Sequence, residues 1–214
     1  MATETNDWGL EIDPEQAHLG GFVKGGDPYS HVPSVWEYLV EEEGVRSVID
    51  VGCGDGSALD AFRELGVEDV LGVDGIDTGR PDVAVWDFTD KPFIPTTMKL
   101  VPAPGGHMPQ PARREFDLCW SSEFVEHIEE RYAPGFLVTF AACSLVLFTH
   151  AVPGQPGHHH VNCQHADYWI GFMAAGNYKL DENLTGMCRA LARGDNPASY
   201  FSRTGLAFRR YRDS

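Results

Sequence analysis

The sequence predicts an α/β fold built on a mostly parallel sheet, and three observations predict it. Residues 45–60, V-R-S-V-I-D-V-G-C-G-D-G-S-A-L-D, read as strand, glycine turn and helix in immediate succession. Short apolar runs of strand length recur at 70–74, 83–88, 116–122 and 144–149, with helical spacing between several of them. The 214 residues suffice for one such domain with a substantial core.

The first strand is a β-branched run, Val48, Ile49 and Val51, with Asp50 inside it. A continuous apolar run of this kind fits a parallel strand buried on both faces. Gly52, Cys53, Gly54, Asp55 and Gly56 follow, and then Ala58, Leu59, Ala61, Phe62 and Leu65 recur at helical spacing until Gly66 closes the helix. Glycines there permit positive φ and let a ligand lie against the backbone. The helix start adds free N–H groups aimed at that ligand. A dinucleotide loop, G-x-G-x-x-G, needs glycine at 57, where Ser57 stands; the spacing is instead Asp50-x-Gly52-x-Gly54-x-Gly56. Val70–Asp74 is the second strand. A carboxylate at its tip, about 20 residues past the glycine turn, can accept hydrogen bonds from both hydroxyls of a ribose, and Asp77 is the alternative for that role.

In chain order, residues 1–21 form a polar arm and 22–214 the domain. Phe22–Pro28 is a turn-rich entry loop, and Val32, Val35, Trp36, Leu39 and Val40 mark an amphipathic helix ending near Gly44. The third strand is Val83–Phe88. Residues 90–115 carry six prolines and read as an insertion near the site or a mobile flap, with Met98–Val101 as one possible short strand. Phe116–Ser122 is the fourth strand, 134–142 a helix, and Ser144–Thr149 the fifth strand. A histidine-rich segment, 150–165, leads into a helix bearing Tyr168, Trp169, Ile170 and Phe172. Tyr178–Leu180, the helix Leu184–Ala192 and the strand Thr204–Phe208 complete the order.

The glycine turn with Asp74 resembles motif I of the class I methyltransferases that use S-adenosylmethionine. The phrase F-D-L-x-x-S-x-E-x-x-E-H at 116–127 resembles motif IV of their small-molecule members, and the likeness spans about residues 22–212. The resemblance implies a Rossmann-like seven-stranded, mostly parallel sheet with helices on both faces and strand seven antiparallel. It implies S-adenosylmethionine as cofactor and Asp50, Gly52, Cys53, Gly54, Asp74, Gly75, Asp87, Phe88 and Ser121 as the residues that bind it. Asp87 would accept from the adenine amino group, Phe88 would line the ring, and the 32–40 helix would form part of a lid. The Asn/Asp-Pro-Pro-aromatic tetrad of enzymes that methylate base amines does not stand at this position, and no Pro-Cys dipeptide of a cytosine-C5 enzyme occurs in the chain. The stretch from Pro153 to Asn162 is similar to P-G-Q-x-G-x-H-H-V-N segments of other methyltransferase-like proteins, which adds no substrate.

Three histidine groups fall at the carboxyl ends of the strands, where ligands bind in open α/β sheets: His127, His150 and His158–His160. An imidazole suits a general base for a hydroxyl acceptor. His127, His159 and His160 are the candidate catalytic residues, against the plainer readings of a helix cap, a core histidine and an exposed loop. His158 and His160 with His165 or Asp167 would be the ligands of a metal site. A loop run of histidines has no fixed helical spacing, so no metal ligand is assigned.

The net charge of −16 is lopsided. Residues 1–95 hold 21 acids against 5 bases, and residues 96–214 hold 11 of each. Such a surface repels polyanions, so nucleic acid is disfavoured as a partner and a small-molecule substrate is expected. Only Arg203, Arg209, Arg210 and Arg212 offer a local phosphate contact. No run spans a bilayer, the start of the chain is unlike a secretory signal, and five cysteines without a C-x-x-C pair fit a reduced, cytoplasmic setting. The expected function is methyl transfer from S-adenosylmethionine to an oxygen or nitrogen of a small molecule. Its rivals are a nucleic-acid or nucleotide methyltransferase and a non-catalytic binding protein of the same fold.

Overall fold

The alternating strands and helices assemble into one seven-stranded sheet in the computed structural model, which describes residues 4–5, 11–12, 18–19, 26–104 and 106–211. Most of the arm and Arg212 therefore lie outside the described residues. Besides a two-residue antiparallel pair in the arm, Glu4–Thr5 with Glu11–Ile12, the strands are β1 (Ser47–Val51), β2 (Asp69–Asp74), β3 (Val83–Val85), β4 (Thr96–Ala103), β5 (Gly106–Arg113), β6 (Phe116–Ser121), β7 (Cys143–Phe148), β8 (Tyr178–Leu180) and β9 (Leu206–Arg210). The helices are α1 (Pro33–Glu41), α2 (Ser57–Glu64), α3 (Ala133–Phe140), α4 (Ala166–Ala175), α5 (Glu182–Asp195) and α6 (Tyr200–Thr204). The sheet order is β8-β9-β7-β6-β1-β2-β3. β1 lies parallel to β2 and β6, β2 to β3, and β6 to β7, whereas β9 runs antiparallel between β7 and β8. This is the seven-stranded arrangement with one antiparallel strand that the motifs imply.

The period-2 alternation of strand side chains divides the core in two. Val48, Leu118, Trp120, Leu145, Leu147 and Ala207 pack on one face against α1, α2 and α5. Ile49, Val51, Val73, Cys119, Val146 and Phe148 pack on the other against the aromatics of α3 and α4. Trp169 and Phe136 are fully buried there, and truncation of either to alanine would cost about 3–5 kcal/mol. Tyr178 seals this face: its hydroxyl donates to the carbonyls of Phe140 and Cys143, each at 2.6 Å. All five thiols are free. Among the described residues no helix is long and apolar enough to cross a membrane.

Three elements differ from the sequence reading. The third strand ends at Val85, three residues early, because Asp87 turns the chain: its Oδ1 accepts from the Thr89 N–H and hydroxyl, both at 2.7 Å. Residues 96–113 form a two-stranded antiparallel ribbon, Thr96 opposite Arg113 through Ala103 opposite Gly106. Pro102, Pro109 and Pro111 fit within it because each strand pairs on one side only. The last strand begins at Leu206, after the short helix α6, which Ser199 caps by accepting from the Ser202 N–H.

Candidate active site

The carboxyl ends of β1, β2, β3 and β6 open into a cleft of about 1050 Å³ counted to its solvent mouth. Asp50, Gly52, Cys53, Gly54, Asp74, Gly75, Asp87, Phe88 and His127 all line it. Gly52 has φ +76° and a Cβ there would meet Phe124 Cβ at 2.7 Å and its ring at 2.8 Å, so only glycine fits. Gly56 begins α2 in the left-handed conformation, and Ser57 and Ala58 bring the first turn of that helix to the cleft wall.

Asp74 is preset by the backbone. Its Oδ2 accepts from Gly54 N–H at 2.8 Å and its Oδ1 from Ile76 N–H at 3.0 Å. Burial pushes this carboxyl up, while the N–H bonds from Ile76, Gly54 and Gly75 pull it down; the net shift is upward. Each oxygen keeps acceptor capacity toward the cleft. Asp50 is 3% exposed, and burial first, then the charge of Asp74, pushes its carboxyl well above the carboxylate range. Burial likewise raises the Cys53 thiol, so that side chain is a neutral wall.

Asp87 has a partner that the sequence did not suggest. His18, from the arm, approaches its Oδ2 at 3.0 Å, and Leu19 packs where a Cβ on Gly75 would stand. Burial opposes ionisation of Asp87, but the bonds from His18 and Thr89 outweigh it and hold the carboxyl below its usual value. Ser121 lies under the cleft and does not line it. Its hydroxyl donates to the Val51 carbonyl at 2.7 Å and braces β6 against β1.

Asp27, Ser30, Ser122, Glu123 and His127 also line the cleft. Glu123 has φ +51°, a strained value for a non-glycine residue. Thr149 holds it there: the Glu123 N–H donates to Thr149 Oγ1 at 2.7 Å, and that hydroxyl donates to Glu123 Oε1 at 2.8 Å. Burial pushes the Glu123 carboxyl up to about 7. Glu126 is fully buried, and its carboxyl is raised well above the usual carboxylate range by burial and then by Glu123. Burial pulls His127 down to about 3, with the neighbouring histidines adding to the effect. His160 packs edge-on to His127, ring centroids 5.0 Å apart, and its Nδ1 lies 3.2 Å from the Gln155 carbonyl. His159 has φ +44° and sits 6.2 Å from the His18 ring. Neither His159 nor His160 is among the lining residues. His150 is a core histidine, 2% exposed, with Nδ1 3.4 Å from the Ala151 carbonyl.

The site residues that sequence reasoning missed are Glu123, Glu126 and His18. The first two stand in the phrase E-x-x-E-H, where two carboxyls three residues apart beside a histidine are the signal that marks them. His18 carried no local signal.

A family model for a methyltransferase domain matches residues 49–135. An S-adenosylmethionine-dependent methyltransferase from Archaeoglobus fulgidus superposes with TM-score 0.51 at 17% identity, over 86% of this chain and 94% of that one. The 1,6-didemethyltoxoflavin-N1-methyltransferase of Burkholderia thailandensis, solved with 1,6-didemethyltoxoflavin and S-adenosylhomocysteine, gives 0.54 at 11% identity over 88% and 83%. The magnesium protoporphyrin IX methyltransferase of Synechocystis PCC 6803, solved with S-adenosylmethionine, gives 0.52 at 14% over 84% and 78%. At such identities the structural likeness is one of fold. No curated protein matches the sequence. The matched domain model, the sheet order and the glycine cleft agree: residues 49–135 match a methyltransferase domain, and the chain carries the Rossmann-like fold of S-adenosylmethionine-dependent methyltransferases.

Proposed function

We propose that the protein transfers a methyl group from S-adenosylmethionine to an oxygen or nitrogen of a small molecule. The observation that carries this reading is Asp74, whose two oxygens are aligned by Gly54 and Ile76 N–H groups and face a cleft walled by glycine. A carboxylate fixed in this way accepts from two ribose hydroxyls without reorganising. Asp50 on the cleft floor suits a cationic group, and Asp87 with Phe88 suits an adenine edge and face. When bound, the cofactor supplies a methyl group already activated by a sulfonium.

Among the described residues the lining carries six carboxyl groups, on Asp27, Asp50, Asp55, Asp74, Asp87 and Glu123, and no lysine or arginine. An anionic acceptor meets repulsion there, so the acceptor is a neutral or cationic small molecule. The described C-terminal arginines are engaged within the fold, which supports an acceptor other than nucleic acid. Arg209 pairs with Glu43 and Asp181, Arg210 donates to the Ala141 carbonyl, and Arg203 lies over the Tyr200 ring. His127 is the histidine placed to touch an acceptor. His160 acts through His127 as a positioning residue, and His159 stands one ring away from His18.

Titration with S-adenosylhomocysteine tests the assignment. Asp74→Ala removes two hydrogen bonds worth about 1.5–3 kcal/mol each if charge-assisted, with a combined loss below their sum. Affinity is expected to fall by more than tenfold. Equal affinity in a folded Asp74→Ala protein overturns the cofactor site. A cofactor-release screen over amines, hydroxylated metabolites and oligonucleotides tests the acceptor class, and turnover on oligonucleotides alone overturns it.

A further inference from the structure

Glu126 is 0% exposed; its oxygens meet the Glu123 carboxyl and the N–H groups of Glu126 and Ala151 only at loose geometry, and none of these completes a full hydrogen bond. His127 Nδ1, beside it in sequence, is also buried and unpartnered. Leaving buried acceptors bare costs about 1–3 kcal/mol each, so three together call for a ligand. His160 completes the group: one ligand-capable atom from each of Glu126, His127 and His160 lies within 4.8 Å of the others. The backbone has already set one tautomer. With His160 Nδ1 donating to the Gln155 carbonyl, its Nε2 keeps a free lone pair, which is how metal-binding imidazoles are oriented. The Glu123 carboxyl adjoins Glu126 and stands beside the trio as a further oxygen donor.

We propose that Glu126, His127 and His160 bind a divalent first-row transition metal ion in the wall of the cleft. Two imidazoles and one carboxylate are the donor set of zinc and of open-coordinate iron, manganese or cobalt sites, whereas calcium and magnesium take oxygen donors. Metal–ligand bonds of about 2.0–2.2 Å hold ligand atoms roughly 3.4 Å apart around a tetrahedral ion, so side-chain torsions close the trio. Three protein ligands leave one or more positions open, and His127 lines the cleft. An open position there faces the acceptor and suits an oxygen or nitrogen lone pair. That role rests on the methyltransferase reading; metal binding itself does not.

The test is cobalt(II) titration of the metal-stripped full chain, read by visible absorbance and by bound metal per chain. One equivalent is expected in the native protein, with affinity about 100-fold or more weaker in His160→Ala and in Glu126→Gln and unchanged in His159→Ala. The absence of stoichiometric binding by the native chain overturns the site. So does equal binding in both ligand variants, which would place the ion on other histidines. Should Glu126→Gln fail to fold by circular dichroism, the partly exposed His160 decides through His160→Ala and His160→Asn. S-adenosylhomocysteine titration runs in parallel. Cobalt binding without it defeats the methyltransferase reading and leaves the metal site standing, and the converse defeats the metal site alone.

Discussion

Asp50 lies on the cleft floor with Asp74 as its charged neighbour, and its folded-state carboxyl titrates well above the unfolded value. The sign follows directly. Between those two values the folded protein holds a proton that the unfolded chain has released, so this group's contribution to stability falls as pH rises through that window. A cationic cofactor amine placed against Asp50 favours the carboxylate and expels the proton. Cofactor binding is therefore expected to release protons at pH values below the raised pKa and to strengthen as pH rises toward it. Calorimetry in buffers of different ionisation enthalpy reads that release, and Asp50→Asn should abolish it; identical release in the variant would place the proton elsewhere. Asp50 and Asp74 were legible in the sequence because a carboxylate in or at the tip of a buried strand has few structural uses. The pairing of Asp87 with His18 was not legible, since it joins residues 69 apart through an arm without periodicity. The role of Ser121 as a brace also depends on a strand register that no local pattern shows.

The elements divide by how local their signal is. β1, α2 and β2 were readable almost to the residue, because β-branched runs, glycine punctuation and helical spacing all agree there. The ribbon β4–β5 was not. Its prolines argue against a strand wherever both sides must pair, and only its isolation on both outer edges removes that objection. No described residue of 96–113 lines the cleft. Its two ends meet where the Arg114 N–H donates to the Pro95 carbonyl at 2.9 Å, and side chains at 107–111 are exposed. Replacing residues 97–112 with a tight glycine-containing turn is therefore expected to leave the fold intact and S-adenosylhomocysteine affinity within about twofold, since few buried contacts are lost. Failure of that variant to fold, or loss of cofactor binding by a folded one, would show that the ribbon supports the cleft.

At the scale of the molecule, charge and site coincide. The entire net charge of −16 resides in residues 1–95, which also supply most of the carboxylates that line the cleft. Low-dielectric walls focus such a field, and salt screens it: the Debye length falls from roughly 30 Å at 0.01 M to about 8 Å at 0.15 M ionic strength. S-adenosylmethionine carries one more positive charge than S-adenosylhomocysteine, because methyl transfer converts its sulfonium into a thioether. The acidic cleft should distinguish the two by that charge. Raising ionic strength over this range is expected to weaken S-adenosylmethionine by about three- to tenfold and S-adenosylhomocysteine by less than about twofold, so their affinity ratio moves with salt. The field thus favours the reactant over the product and helps release after transfer. Equal salt dependence for the two ligands would show that the carboxyl groups are neutral or neutralised when the ligand arrives. Adding a bound divalent cation at the cleft wall should flatten the difference, which ties the electrostatics of the whole chain to the occupancy of three side chains.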